Sequence, residues 1–201
     1  MAEEITYRDK PLQVYISRIR ALDRSDLGMA VLMRDISAER QLREEVKRLH
    51  FTEQRTGMGN ARYLEHALAH HWTLAKASAG RLAVALVSID NLKDMTLSGN
   101  ARLEELIVRS VAQTLADSLG KAMPLARIGA DTLAVLVFGP AADRAADLAR
   151  DALARIHETP VEDTQVWASC GIGTVEVRTN EGREELLQSA SQALQEAIEA
   201  G

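Results

Sequence analysis

The chain has 201 residues and a net charge of −5, long enough for one large domain or a domain with an accessory piece. With 46% hydrophobic and 26% charged residues it reads as a folded globular chain, and its acidic balance gives no reason to expect nucleic acid or an anionic membrane as a partner. A single cysteine, Cys170, rules out an internal disulfide, no signal pattern opens the chain, and no apolar run reaches the roughly 18–20 residues of a membrane span, so a cytoplasmic location is expected.

In chain order, residues 1–36 hold two strand-like runs, Leu12 to Ile16 and Met29 to Met33, separated by a turn cluster from Asp23 to Gly28. Two strands make only a marginal hairpin, so this segment has to pack on something else. A helix follows at 37–51, with Ser37 as the expected N-cap. Leu42, Val46 and Leu49 form a narrow apolar stripe among charges, the pattern of a helix that pairs with another helix, and a homodimer is expected through it.

From residue 52 onward the pattern becomes a strand–helix alternation. Helices are predicted over 62–77, 101–119, 141–157 and 184–199. Strands are predicted over 81–89 and 165–177, with a hairpin over 123–138. That order predicts an α/β fold with a mixed sheet flanked by helices. His66 and His70 have the i,i+4 spacing that can hold zinc. Without an HExxH pattern or a nearby cysteine they are read as surface residues, and Trp72 and Trp167 as core or interface anchors.

The hairpin turn Arg127-Ile128-Gly129-Ala130-Asp131-Thr132-Leu133 resembles the Arg-x-Gly-Gly-Asp-Glu-Phe turn of the GGDEF family of diguanylate cyclases. Three further segments support the resemblance across 52–201. Glu53 to Arg62 is similar to the family's Asp-x-Leu-Thr-Gly-Leu-x-Asn-Arg-Arg, Ser88 to Thr96 to its Asp-x-Asp-x-Phe-Lys-x-x-Asn, and Ser169 to Gly173 to its Ser-x-Gly-x-Ala. Arg34-Asp35-Ile36-Ser37, where a strand runs into a signalling helix, resembles the end of a PAS sensor domain. The chain would then comprise a PAS fragment at 1–36, a linker helix at 37–51 and a GGDEF domain at 52–201.

The resemblance implies a two-metal reaction that joins two GTP molecules, with hard cations held by carboxylate oxygens. This chain departs from that pattern in several places. Ser88 stands where the first metal-binding Asp is expected, leaving Asp131 as the one acidic candidate for a metal. Asp90 lies two residues further on the same strand face, which would suit a shifted metal site, but the Leu92-Lys93 match fixes the register against it. Thr132 replaces the catalytic Glu, Ala130 the second Gly, and Leu133 the Phe. Thr96 and Glu104 fall at the two guanine-contacting positions, and Ile198 falls at the C-terminal phosphate-binding Lys.

Lys93, Thr96, Glu104 and Asp131 therefore form the residual nucleotide set, and Mg2+ and GTP are expected only if residual binding survives. Arg127 is read as a hairpin or ion-pair residue. The inhibitory product site, Arg-x-x-Asp, falls on Gly120-Lys121-Ala122-Met123, so no product site is expected. The resemblance implies a degenerate, catalytically inactive domain in cyclic di-GMP signalling that regulates an adjacent EAL phosphodiesterase domain. The alternatives are a GTP-binding allosteric module without turnover and an active diguanylate cyclase.

Overall fold

The computed structural model describes residues 2–20, 22, 26–95, 100–178 and 182–200, without the side chains of Ala2, Glu44, Lys47 and Arg48. The chain divides into two compact units, Met1–Leu49 and His50–Gly201. Among the described residues no helix is long and apolar enough to cross a membrane.

The first unit is a three-stranded antiparallel sheet in the order β1-β2-β3, formed by β1 (Ala2–Tyr7), β2 (Lys10–Arg20) and β3 (Asp26–Asp35). The strand β1 was not expected. Its sequence, AEEITY, alternates weakly, and it becomes a strand through its ladder with β2. Arg8 and Asp9, both at positive φ, form the two-residue turn between them, as the twist of a tight hairpin requires. Of the predicted turn cluster, Asp23 to Ser25 lie outside the described residues, and Gly28 is already in β3.

Helix α1 (Ser37–Phe51) starts where expected, but the first turn is held by the side chain of Asp35, which accepts from the Ser37 backbone N–H at 2.9 Å. Leu42, Val46 and Leu49 are all exposed on it.

The second unit contains a four-stranded sheet in the order β5-β6-β4-β7, with β4 (Arg81–Ile89), β5 (Leu125–Arg127), β6 (Thr132–Phe138) and β7 (Ala168–Glu176). Every ladder in it is antiparallel, and the one parallel contact among the described residues is the isolated bridge of Gly59 with Ala126. The helices are α2 (Ala61–Ser78), α3 (Leu92–Met95), α4 (Ala101–Leu119), α5 (Ala145–Glu158) and α6 (Arg183–Ala200). The predicted helix at 141–157 is split. Gly139-Pro140 opens a short 3-10 turn over Gly139–Arg144, and the α-helix starts only at Ala145.

The unbroken apolar run of β4 is explained by burial on both faces. Ala83, Ala85, Val87 and Ile89 point into a core with α4 and α5, while Leu82, Val84 and Leu86 point into a second core with α2 and α6. Trp72 belongs to the second core. Trp167 does not belong to either core: it is half exposed and lies tilted against the His157 ring, with centroids 4.0 Å apart.

Helix α6 lies directly on β7 because Gly171 and Gly173 lack side chains. A Cβ at Gly171 would sit 2.0 Å from the Leu194 backbone nitrogen, and one at Gly173 2.3 Å from the Leu186 carbonyl. Cys170, just before Gly171, is partly buried, and burial pushes its thiol up to about 12.

Candidate functional site

The site assembles where the strand ends of the second sheet meet the segment Thr52–Gly59. That segment is a closed turn organised around one carboxylate. Glu53 accepts from the backbone N–H groups of Arg55 and Thr56, each at 2.9 Å, and from the Thr56 hydroxyl at 2.5 Å. Gly59 then lines up with β5, and its carbonyl accepts from the Arg127 backbone N–H at 2.8 Å. This backbone contact carries residues 53 and 55 to the foot of the β5–β6 hairpin.

The hairpin turn is closed by the Thr132 carbonyl, which accepts from the N–H groups of both Ile128 (3.0 Å) and Gly129 (3.2 Å). Arg127 braces it from inside. Its guanidinium is buried and donates to the carbonyls of Gly129 and Ala130. The same group pairs with Glu104 at 2.8 Å and lies 3.8 Å from Glu53. The reading of Arg127 as a hairpin and ion-pair residue holds on both counts.

Glu104, on the first turn of α4, is shared. Arg55 donates to both of its oxygens, at 2.8 and 2.9 Å, in a fork-to-fork pair, and Arg127 takes a third bond. Hydrogen bonds from Arg55, and then Arg127, hold the Glu104 carboxyl below its usual range despite partial burial. Burial works against ionisation of Glu53 as well, but the Thr56 and Arg55 hydrogen bonds and the Arg127 charge hold it low. The expected guanine contact at Glu104 is thus engaged by two arginines of its own chain. Sequence reasoning missed Arg55, and its one signal was a cation at the Leu position of the Asp-x-Leu-Thr-like segment.

Across the strand ends, Ser88 faces Thr132 on β6 and Ser169 on β7, a row of three neutral hydroxyls. Ser88 is buried. The Ser169 hydroxyl donates to Asp90 at 2.8 Å, which ties that carboxylate to the β7 side. Asp131 stands on the β6 side, where Thr132 donates to one of its oxygens at 3.0 Å and the Lys93 ammonium lies 3.5 Å from the other. Asp90 follows β4, the strand between β6 and β7, and its contact with Ser169 turns its carboxylate toward the β7 side.

Among the described residues no group of three or more His, Cys, Asp or Glu is placed to hold a metal. Ser88 supplies no carboxylate oxygen, Asp90 is held by Ser169 and Asp131 is paired to an ammonium, an arrangement that does not fit the hard-cation pair that the family's reaction uses.

The remaining expectations are placed as follows. Thr96 lies outside the described residues. Lys93 sits on the four-residue helix α3 and is largely exposed. Ile198 is half exposed on α6. At Gly120–Met123 a tight turn closes through the Met123 N–H to the Gly120 carbonyl, and Lys121 pairs with Asp117. His66 and His70 are exposed, whereas His71 stacks flat on Phe138 at 3.9 Å. Burial, and then the neighbouring His70, lowers the His71 pKa.

The fold has many solved counterparts. The coiled coil and GGDEF domain of DgcB from Caulobacter crescentus, solved in complex with c-di-GMP, matches with a TM-score of 0.71 at 18% identity, over 83% of this chain and 90% of that one. The GGDEF domain of FimX from Pseudomonas aeruginosa matches with a TM-score of 0.68 at 16% identity, over 75% and 95%. A sensory box/GGDEF family protein from Caulobacter crescentus matches with a TM-score of 0.63 at 25% identity, over 75% and 99%. Comparison with curated protein sequences returns no match. The family described as diguanylate cyclase, GGDEF domain, matches residues 51–201, three quarters of the chain, and the chain belongs to that family.

Proposed function

We propose that this protein is a catalytically inactive GGDEF domain that serves as a regulatory and dimerising module in cyclic di-GMP signalling, downstream of a PAS-derived segment and acting on an adjacent EAL-type phosphodiesterase domain. One observation carries the reading: the acidic groups at the site are engaged by cations of the same chain. Glu104 is bound by Arg55 and Arg127, and Asp131 is paired with Lys93. Ser88 adds no charge to compensate. A preorganised charge removed from such a site costs a cyclase orders of magnitude in rate.

The expected outcome is no cyclic di-GMP from GTP with Mg2+ or Mn2+ at high protein concentration. Product formation that is lost in Asp131→Ala would overturn inactivity. For the dimer, solution mass is measured for the wild type and for Leu42→Gln/Leu49→Gln. Conversion to monomer is expected, and an unchanged mass would sink the helix contact.

A GTP-binding module without turnover is the second reading, favoured by the largely exposed ammonium of Lys93 at the mouth of the site. Calorimetry with GTP and magnesium tests it, and the absence of heat at millimolar nucleotide would remove it. The DgcB structure holds c-di-GMP. Gly120–Met123 lacks the paired charges for that ligand, so no binding is expected there.

A further inference from the structure

Strand β3 is the outer strand of the first unit's sheet, and from Leu27 to Met33 it carries no charge and no proline. Its side chains are exposed on both faces, Leu27 at 66%, Met29 at 69%, Val31 at 50% and Met33 at 60% on one face and Leu32 at 64% on the other. An edge of this kind normally carries a lysine, a proline or alternating charge to block pairing. The opposite edge, β1, has Glu3, Glu4 and Thr6.

The charges of β3 lie only at its ends, with Asp26 at the start and Arg34-Asp35 at the finish. Such a strand is self-complementary. Laid antiparallel on itself with Ala30 at the two-fold axis, it puts Asp26 opposite Arg34 at both ends, Leu27 opposite Met33, Met29 opposite Val31 and Gly28 opposite Leu32. A one-residue slip would set Asp26 against Met33 or Asp35, and a two-residue slip against Leu32 or Ile36. Arg20 lies 3.2 Å from Asp26 and Glu39 lies 3.6 Å from Arg34, so each end pair extends into a set of alternating charge.

We infer that β3 pairs edge to edge with β3 of a second copy of this chain, in the register centred on Ala30, to form one six-stranded sheet. This contact is separate from the α1 stripe and rests on the dimer reading above only in requiring two copies.

Under mild oxidation Ala30→Cys is expected to form a covalent dimer, because its own copy is the residue opposite. Leu32→Cys should remain uncrosslinked, since in this register the two copies of residue 32 lie about 14 Å apart along the strand, beyond disulfide reach. The wild type, with only the partly buried Cys170, is the background. Independently, Arg34→Asp should weaken association about tenfold, and Asp26→Arg/Arg34→Asp should restore it. Equal crosslinking at residues 30 and 32, or no crosslink at residue 30, would overturn the pairing. Failure of the double reversal to restore association would do so too. A dimer lost in Leu42→Gln/Leu49→Gln but indifferent to every β3 variant would overturn it while leaving the regulatory role intact.

Discussion

The two units bury their apolar residues in opposite ways. In the second, β4 is covered on both faces by helices of the same unit, and Leu82, Val87, Ile107, Leu115, Leu133 and Leu136 are each below 2% exposure. In the first, a sheet of similar strand length leaves Ile5, Tyr7, Ile16, Met29, Val31, Leu32 and Met33 in solvent, with Val14 and Ile36 its buried apolar residues. The difference is one of helices. The second unit has four long helices for one sheet, whereas the first has α1 alone, and the apolar stripe of α1 also faces solvent. A sheet closes its core only when something covers it, so the second unit buries a core of its own and the first leaves most of its apolar residues exposed.

The strongest way to break that contrast is to open the second unit from within. Gly171→Ala places a methyl against the α6 backbone, which cannot yield as a side-chain tip could. A loss upward of about 3 kcal/mol in chemical denaturation is expected, and a neutral result would mean that α6 is not held on β7 as described.

Next comes the ion network. Arg127→Ala leaves Glu104 and Glu53 partly buried without that arginine and removes the brace of the turn, at a cost of about 3 kcal/mol, below the cost for fully buried pairs because both carboxylates keep some solvent. The network also has a pH signature. The folded pKa values of Glu104 and Glu53 lie below their ordinary value of 4.5, so their stabilisation is complete above that pH and is lost as the pH falls through the lowered folded values. Thermal denaturation between pH 6 and pH 3 should show this loss, and Glu104→Gln should flatten it. An unchanged acid limb would mean that the network stores little.

The smallest expected effect is on the other side of the comparison. Val31→Ser removes an exposed side chain, so the unfolding midpoint of the second unit should move by less than about 0.5 kcal/mol. A larger shift would show that the two units do not stand apart energetically.

Much of the second unit was legible in the sequence. The bounds of β4 and α4 follow from apolar periodicity and from Asn100, whose side chain caps α4 by accepting from the Leu103 N–H. The hairpin follows from a Gly-Asp turn between two apolar runs. Less of the site was legible. Glu104 could be matched to a ligand position, but its partner Arg55 lies 49 residues away in the chain and meets it only because Gly59 aligns the 52–59 turn beside β5. Strand β1 and the exposure of Trp167 escaped for the same reason, since each depends on a neighbour that is not local in sequence.

By itself, then, the sequence determined the alternation of elements, the apolar run of β4 and the neutral hydroxyls of Ser88 and Thr132 at the strand ends. These depend on residue type and on spacing along one strand or helix. Only the tertiary structure decided which charges meet. It set Arg55 and Arg127 on Glu104 and Lys93 on Asp131, and turned Asp90 toward Ser169, because charge pairing is fixed by which elements pack together and not by the pattern within any one of them.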